Sequence, residues 1–336
     1  MDKINIKKLA KELNVSPATV TRAFRGYTDI NAETKERILA LAKKLNYHPN
    51  YYASNLREMK SKTIAVIIPQ LSDIFFSLAI DGLEKLANQK GYHILIYRTE
   101  NHYEKEVSIV NYLQNGRVDG IIMSGCAETH DHDYLNKLES RNIPIVFFDR
   151  IYEDVKAPKV TTNDYESSFN ATRHLAERGC KKIVYLGYKK NYSIGKVRME
   201  GYLDALKELS IQARKEWVVD CTDDNNKNYS IIKKTIKAVN PDGVFTAGEN
   251  LAFTSYKVCQ ELQISIPDDL KIISFSSSEV ASLLNPPLTT ITQPALEIGS
   301  KAAMLLFEIL ENKDLPVEDH IILKSTLVQR ESTAAR

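Results

Sequence analysis

From Thr63 onward, the sequence alternates short apolar runs with longer amphipathic stretches. Residues 63–69 form a nearly continuous apolar run, as expected of a strand buried on both faces. Strands are predicted at 63–69, 93–99, 119–125, 143–149, 181–187, 217–220, 242–248 and 270–275, and helices at 75–92, 104–118, 134–142, 166–179, 197–209, 230–239 and 250–263. Strands that alternate with helices of this length indicate βαβ units and parallel sheets. Two such series predict two doubly wound α/β lobes.

In doubly wound folds, ligands bind beyond the carboxyl ends of the parallel strands. In this chain the predicted ends fall at 69–76, 99–101, 124–125, 149–150, 187–188, 248–250 and 275–278. A cleft between the two lobes, lined by these ends, is therefore the predicted site for a small-molecule effector.

The first 48 residues have a different, all-helical pattern. Ile6, Leu9, Ala10 and Leu13 are spaced as one buried helical stripe, and residues 32–45 repeat that spacing after a capping Asn31. Between them, Ser16 is a good N-cap for a short helix over 17–24, which begins at a proline. Three short helices with a tight turn between the first two indicate a helix-turn-helix head.

The exposed face of the second helix favours DNA binding over a generic three-helix bundle. Small residues and one long donor would let this helix enter a major groove, where Arg22 can reach guanine O6 and N7. Thr19 and Thr21 are suited to phosphate oxygens. The outward-facing residues are Pro17, Ala18, Thr19, Thr21 and Arg22.

Charge is distributed unevenly along the chain. The first 60 residues hold 12 Lys and Arg against 6 Asp and Glu, a net +6, whereas the whole chain carries +2. The remaining residues therefore carry a net charge of −4. A basic head on a mildly acidic body indicates a polyanionic partner for the head alone.

Cysteine usage and hydropathy indicate a cytoplasmic protein. Cys126, Cys180, Cys221 and Cys259 are widely spaced and are interpreted as reduced, mostly buried thiols rather than a metal or disulfide framework. No apolar run approaches the roughly 20 residues of a membrane span, and the N-terminus lacks a signal-peptide pattern. The run from Thr129 to Asp133 contains His and Asp but is better explained as a helix start than as a metal site.

Residues 49–61 are predicted to form a short helix and linker after Pro49, which prevents the preceding helix from continuing. Leu56 has no obvious core to join. An apolar side chain flanked by basic residues can insert between base steps of the minor groove and kink the duplex. The alternative is that Leu56 packs under the large domain.

The motifs VSPATVTRAFRG, ETKERI, LNYHPN and ASNL, at 15–26, 33–38, 45–50 and 53–56, resemble those of the lactose-repressor/galactose-repressor (LacI/GalR) family. The resemblance extends over the body and implies a periplasmic-binding-protein-like core of two lobes joined by three crossings. It also implies a homodimer on a palindromic double-stranded operator, with Leu56 as the intercalating leucine of a hinge helix. The candidate DNA-contacting residues are Ser16, Pro17, Ala18, Thr19, Thr21, Arg22, Tyr47, His48, Asn50 and Leu56.

The same resemblance assigns residues to the effector cleft. Phe75 or Phe76 matches an aromatic lining residue, Asp149 and Arg150 match an Asp-Arg pair, and Arg198 and Gln293 match an effector-binding arginine and a crossover glutamine. Glu249 and Ser276 stand where the family usually has Asp. A serine cannot accept hydrogen bonds bidentately as a carboxylate does. With Arg150 and Arg198 kept and one Asp lost, an acidic or phosphorylated sugar becomes more plausible than an ordinary monosaccharide.

The predicted organisation is a helix-turn-helix domain at 1–48, a hinge at 49–61 and an effector-binding and dimerisation domain at 62–336. Within that body, lobe 1 is expected at about 62–161 plus 293–320, and lobe 2 at about 162–292 plus 321–336. The predicted function is a transcriptional repressor, or less often an activator, that is controlled by a sugar or sugar derivative and needs no cofactor. A ligand sensor acting through a protein partner is the alternative. An enzyme is disfavoured because no nucleophile, base or cofactor fingerprint converges on the cleft.

Overall fold

A computed structural model describes residues 5–24, 27, 29–47, 60–126, 131–188, 193–312 and 319–335. The chain divides into two compact units, Met1–Ser61 and Lys62–Arg336. Among the described residues, no helix is long and apolar enough to cross a membrane.

The N-terminal unit contains three helices: α1 (Ile6–Glu12), α2 (Pro17–Phe24) and α3 (Ala32–Lys44). The side chain of Asn31 accepts from the backbone N–H of Glu33 and so caps α3, as predicted. Ser16 Oγ likewise accepts from the N–H of Thr19 at 3.0 Å and caps α2. The buried stripes of the three helices meet in one small core of Leu9, Ala10, Val20, Ala23, Ile38 and Ala42.

The second unit contains the alternating strands and helices. Its strands are β1 (Thr63–Ile68), β2 (His93–Arg98), β3 (Gly120–Met123), β4 (Ile145–Phe148), β5 (Lys159–Thr162), β6 (Ile183–Gly187), β7 (Val218–Asp220), β8 (Gly243–Thr246), β9 (Lys271–Phe275), β10 (Thr289–Thr292), β11 (His320–Leu323) and β12 (Thr326–Val328). Its helices are α4 (Ile74–Gln89), α5 (Tyr103–Leu113), α6 (Asp133–Ser140), α7 (Asp164–Glu177), α8 (Ser193–Glu208), α9 (Asn225–Val239), α10 (Glu249–Leu262) and α11 (Ala295–Glu311).

The strands form two sheets, and each sheet is the centre of one lobe. The first has the order β11-β5-β4-β3-β1-β2, and the second has the order β12-β10-β9-β8-β6-β7. Pairing is parallel except between β10 and β12, which are antiparallel. Only two residues separate β11 from β12, although these strands belong to different sheets, so the chain crosses between the lobes there. The predicted fold, a helical head with two doubly wound lobes, is confirmed.

Some elements differ from the predicted ones. The helix expected over 104–118 ends at Leu113, and Gly116 adopts a left-handed φ of 70° that a helix does not accommodate. Strand β11 pairs with β5, so the first lobe extends to Leu323 rather than to about residue 320. The alternating pattern also did not predict β5, β10, β11, β12 or the long helix α11.

Helix α11 packs closely against α4 on one face of the first sheet. Ala79 and Leu83 of α4 share a buried core with Ile298 and Ala302 of α11. At the crossing, a Cβ atom on Gly299 would overlap the backbone carbonyl of Ala79, so only glycine permits this approach. The α4–α11 contact fixes the orientation of α4, whose N-terminal end carries residues of the predicted cleft.

Candidate functional site

Helix α2 presents the side chains that were predicted to read DNA. Val20 and Ala23 are buried in the core of the head, which leaves the opposite face of the helix toward solvent. The predicted contact residues on and before this helix are exposed at Ser16, Pro17, Ala18 and Arg22 and half-buried at Thr19 and Thr21.

The two threonine hydroxyls already have partners within the helix. Thr21 Oγ1 donates to the carbonyl oxygen of Pro17 at 3.0 Å, and Thr19 Oγ1 lies 2.9 Å from Ser16 Oγ. A phosphate oxygen only accepts hydrogen bonds, so the Thr21 hydroxyl would have to leave Pro17 to donate to one. Arg22 is therefore the long donor of this face.

Arg22 forms an ion pair with Asp29, a residue that the sequence analysis did not single out. The two side chains are 52% and 49% exposed, and the Arg22 guanidinium also lies 5.7 Å from the ring centre of Tyr27. Exposed ion pairs contribute little to stability, typically about 0–1 kcal/mol. Arg22 can therefore exchange Asp29 for another partner at small cost.

Tyr47 packs against Phe24, with ring centres 6.0 Å apart, and its ring belongs to the edge of the head core. Burial raises the pKa of the Tyr47 hydroxyl, which stays a neutral donor. The other predicted contacts, His48, Asn50 and Leu56, lie outside the described residues.

In the second unit, a cavity of about 80 Å³ lies at the carboxyl ends of strands from both sheets. All eight residues predicted for the effector cleft line it: Phe75, Phe76, Asp149, Arg150, Arg198, Glu249, Ser276 and Gln293. Phe76 is mainly a core residue, packed edge-on against Phe148 at 6.1 Å. Gln293 donates to Thr162 Oγ1 at 3.1 Å and so ties together two of the segments that cross between the lobes.

Arg198 is held on three sides. Its Nε donates to Asp164 Oδ1 at 2.6 Å, its Nη1 donates to the carbonyl oxygen of Ala247 at 2.8 Å, and its guanidinium lies 3.7 Å from the ring centre of Phe275. Asp164 and Arg198 are both buried, so the positive charge is already neutralised inside the protein. This arrangement weakens the argument that Arg198 selects an acidic sugar.

Asp149 and Arg150 follow β4, where Asp149 has a left-handed φ of 61°. Burial raises the pKa of the Asp149 carboxyl to about 7, against the opposing effect of the Arg150 and Arg198 guanidinium groups. Arg150 Nη1 donates to Asn101 Oδ1 at 2.7 Å, and its Nε lies 3.8 Å from Asp149 Oδ2.

Glu249 begins helix α10 and supplies a carboxylate on the second-lobe side of the cleft. Ser276 Oγ donates to Glu249 Oε2 at 2.8 Å. Burial raises the pKa of Glu249, and the nearby Asp73 carboxylate raises it further. Of the two positions where the family usually has Asp, only position 249 carries a carboxylate in this chain, and Ser276 is hydrogen-bonded to it.

Several lining residues were not singled out from the sequence. Asp73 caps α4 by accepting from the N–H of Phe75 at 3.0 Å, and Asp223 accepts from Asn101 Nδ2 at 3.3 Å across the cleft. Both residues follow a strand of a parallel sheet, and Asp73 falls within the predicted carboxyl-end segment 69–76. The rule that ligands bind beyond the carboxyl ends of parallel strands therefore pointed to the segment that contains Asp73. It did not point to Asp223, because the strand before it, β7, has only three residues.

Near the predicted helix start at Asp133, His132 stacks on Tyr152 with ring centres 3.8 Å apart, and its Nδ1 lies 2.8 Å from Asp154 Oδ2. Asp133 begins α6, as the helix-start interpretation expects. Thr129 and His130 lie outside the described residues. All four cysteines are free and buried, which confirms the predicted burial of these thiols.

Comparison with known families identifies both units. Residues 5–50 match the family of bacterial regulatory proteins described as the lacI family, and residues 172–333 match a periplasmic binding protein-like domain. The chain therefore joins a LacI-family DNA-binding head to a periplasmic-binding-protein-like body. It is a DNA-binding transcriptional regulator with an effector-binding domain.

Curated LacI-family relatives match along nearly the whole chain. The HTH-type transcriptional regulator RegA of Clostridium saccharobutylicum is 29% identical over 337 residues, covering 98% of this chain and 99% of that protein. Catabolite control protein A of Priestia megaterium is 27% identical, with the same coverage.

Solved structures have the same fold. The transcriptional regulator CelR in complex with cellobiose has a TM-score of 0.74 at 20% identity, covering 98% of this chain and 100% of that one. A LacI transcriptional regulator of Alkaliphilus metalliredigens complexed with D-xylulofuranose has a TM-score of 0.71 at 27% identity, covering 82% of this chain and 100% of that one.

Proposed function

We propose that this LacI-family regulator is a cytoplasmic homodimeric repressor that binds a palindromic operator and responds to a small polyhydroxylated effector. One observation carries the proposal. The eight residues predicted for the effector cleft line a single cavity between the two sheets of a chain that also has a helix-turn-helix head.

In the DNA complex, α2 lies in the major groove and Arg22 reaches a guanine edge after leaving Asp29. Pro17 and Ala18 are small enough for close approach to the bases, and Ser16, Thr19 and Thr21 contact the backbone. Tyr47, His48 and Asn50 add contacts at the end of the head, and Leu56 inserts at the centre of the palindrome.

The effector acts by joining the two lobes. Across the cleft, Asn101 donates to Asp223 at 3.3 Å and the N–H of Ile151 donates to Ser193 Oγ at 3.2 Å. A ligand that contacts both lobes favours one lobe arrangement over the other, and its differential affinity is the energy available to change operator binding. The named ligands of the two structural relatives support a polyhydroxylated compound.

A second copy of the chain would cover apolar side chains on the body. Leu95 and Ile96 are exposed on β2, which is an end strand of the first sheet, and Leu71 and Ile74 are exposed before and at the start of α4. Leu283 of the second lobe is 80% exposed. These side chains are candidates for the surface that a second copy covers, because contiguous exposed apolar patches mark protein–protein interfaces.

Operator-selection and gel-shift measurements on the full-length chain test the proposal. A log-affinity against log-salt slope of several units is expected, because Lys and Arg of the head displace counterions from DNA phosphates. The substitution Leu56→Ala should weaken operator binding more than binding to random DNA. A flat salt dependence would contradict DNA binding, and equal losses on the two DNAs would contradict intercalation.

A further inference from the structure

The effector cavity has an excess of carboxylates. Asp73, Asp149, Asp223 and Glu249 line it, whereas Arg150 and Arg198 are its lining guanidinium groups. Asp164 is the buried partner of Arg198 and brings the number of carboxylates to five, against two guanidinium groups. The formal charge of this set is therefore negative.

The arginines are already engaged with protein groups. Arg198 is committed to the buried Asp164 carboxylate and to the carbonyl oxygen of Ala247. Arg150 donates to Asn101 and has its Nε 3.8 Å from the Asp149 carboxylate. These bonds use two of the five N–H donors of Arg198, and its charge is already offset by Asp164, so an anion would gain less from Arg198 than from an unpaired guanidinium.

The carboxylates, by contrast, repel one another across the cleft. Asp73 belongs to the first lobe and Glu249 to the second, and the charge on Asp73 disfavours the charged form of Glu249, whose pKa is raised mainly by burial. Asp73 accepts from the Phe75 N–H, and Glu249 accepts from the Ser276 hydroxyl and from the backbone N–H groups of Ile74 and Ser278, which leaves each carboxylate with capacity for a further hydrogen bond. A cation placed between Asp73 and Glu249 would relieve the repulsion and hold the two lobes together.

The rest of the cavity suits a small polyol. Ser277, Asn250 and Gln293 line it with hydroxyl and amide groups, and Phe75 provides an apolar wall. We propose that the effector is a small polyhydroxylated amine whose ammonium group lies between Asp73 and Glu249. This inference rests on the proposed function, because it takes this cavity to be the effector site.

Titration calorimetry of the full-length protein at pH 7 tests the inference with matched sets of sugars. Each set contains an amine, its neutral parent and the corresponding acid: glucosamine, glucose and glucuronate; galactosamine, galactose and galacturonate; mannosamine, mannose and mannuronate. In at least one set the amine should bind at least about tenfold tighter than the neutral parent, with the acid weakest, as expected for one paired charge in a partly buried site. The inference is overturned if no amine binds, or if no set contains an amine that binds at least about tenfold tighter than its neutral parent and tighter than its acid.

The substitution Glu249→Gln separates charge from shape. It should weaken binding of the preferred amine about tenfold more than binding of the neutral parent, because glutamine preserves the size but not the charge. Glu297→Gln, on an exposed position of α11, serves as the charge-matched control and should change neither affinity. Equal losses for amine and neutral parent in Glu249→Gln would contradict an ammonium contact.

Operator binding by the same preparations separates failure of the effector assignment from failure of the regulator function. If DNA binding shows its steep salt dependence but the amines fail, the effector assignment is wrong and the regulator function stands. If DNA binding itself is absent, the proposed function fails whatever the sugars do.

Discussion

Asp164 and Arg198 form a buried ion pair, with Arg198 Nε 2.6 Å from Asp164 Oδ1, at the base of the effector cavity. Asp164 is the first residue of α7, and Arg198 lies in the first turns of α8, so the pair fixes these two helices against each other. Asp164 thereby positions Arg198 at the cleft, although Asp164 is not itself one of the lining residues.

Removing the carboxylate by Asp164→Asn should lower the free energy of unfolding by about 3–5 kcal/mol, because it leaves the Arg198 charge buried and uncompensated. Urea unfolding followed by circular dichroism measures the change. The control is Glu177→Gln at the other end of the same helix, where the exposed Arg173–Glu177 pair should contribute less than about 1 kcal/mol. Similar losses in the two variants would contradict a special role for the buried pair.

Releasing Arg22 should strengthen DNA binding. In Asp29→Asn, Arg22 no longer has to leave an ion pair, so operator affinity should rise by up to about 1 kcal/mol, whereas Arg22→Ala should cost about 1–3 kcal/mol. Gel shifts measure both. Glu12→Gln removes one exposed negative charge elsewhere in the head, and a gain there equal to that of Asp29→Asn would indicate a general charge effect. In the Arg22→Ala background, the benefit of Asp29→Asn should disappear.

The raised pKa of Asp149 predicts how stability depends on pH. With a folded-state pKa of about 7 and an unfolded value near 4, the folded protein holds a proton that the unfolded chain lacks between these pH values. The contribution of this group to the free energy of unfolding therefore falls as pH rises from about 4 to 7 and is constant above that. Neighbouring charges act in both directions: Arg150 and Arg198 lower the pKa, and Asp164 and Asp73 raise it.

Asp149→Asn tests this prediction, because asparagine tolerates the left-handed backbone at this position and does not titrate. In thermal unfolding from pH 5 to 8, the variant should gain stability relative to the native protein as pH rises. Asp81→Asn, on the exposed face of α4, should differ from the native protein in thermal stability by an amount that does not change with pH. A constant difference for Asp149→Asn would show that Asp149 is charged throughout this range.

The crossing of α4 and α11 should be intolerant of a single methyl group. Gly299→Ala would place a Cβ against the carbonyl of Ala79 and should cost about 1–3 kcal/mol through forced separation of the helices. In Gly248→Ala the nearest atom to the new Cβ is Tyr188 Cε2 at 3.8 Å, an ordinary contact, so that control should be nearly neutral. Equal urea midpoints for Gly299→Ala and the native chain would show that the helices move apart freely.

Much of this architecture could be predicted from local patterns, because β1 is apolar and buried from Ile64 to Ile68 and the helices between the strands are amphipathic. The elements that were missed depend on distant partners. Strands β11 and β12 are short and only partly buried, and they are defined by pairing with strands far away in the sequence. The cleft residues could be assigned by resemblance to a known family. The residues that modify their electrostatics could not, because Asp164 neutralises Arg198 and Asp73 raises the pKa of Glu249 only through tertiary contacts between separate elements.

The crossing between β11 and β12 has a consequence for how the protein is made. During synthesis, the first lobe lacks β11 until residue 323 has emerged, and the second lobe lacks β12 until residue 328 has emerged. Neither sheet can be completed before these residues have left the ribosome. A nascent chain halted shortly before residue 320 would therefore carry two unfinished sheets, and their completion would wait for residues 320–328.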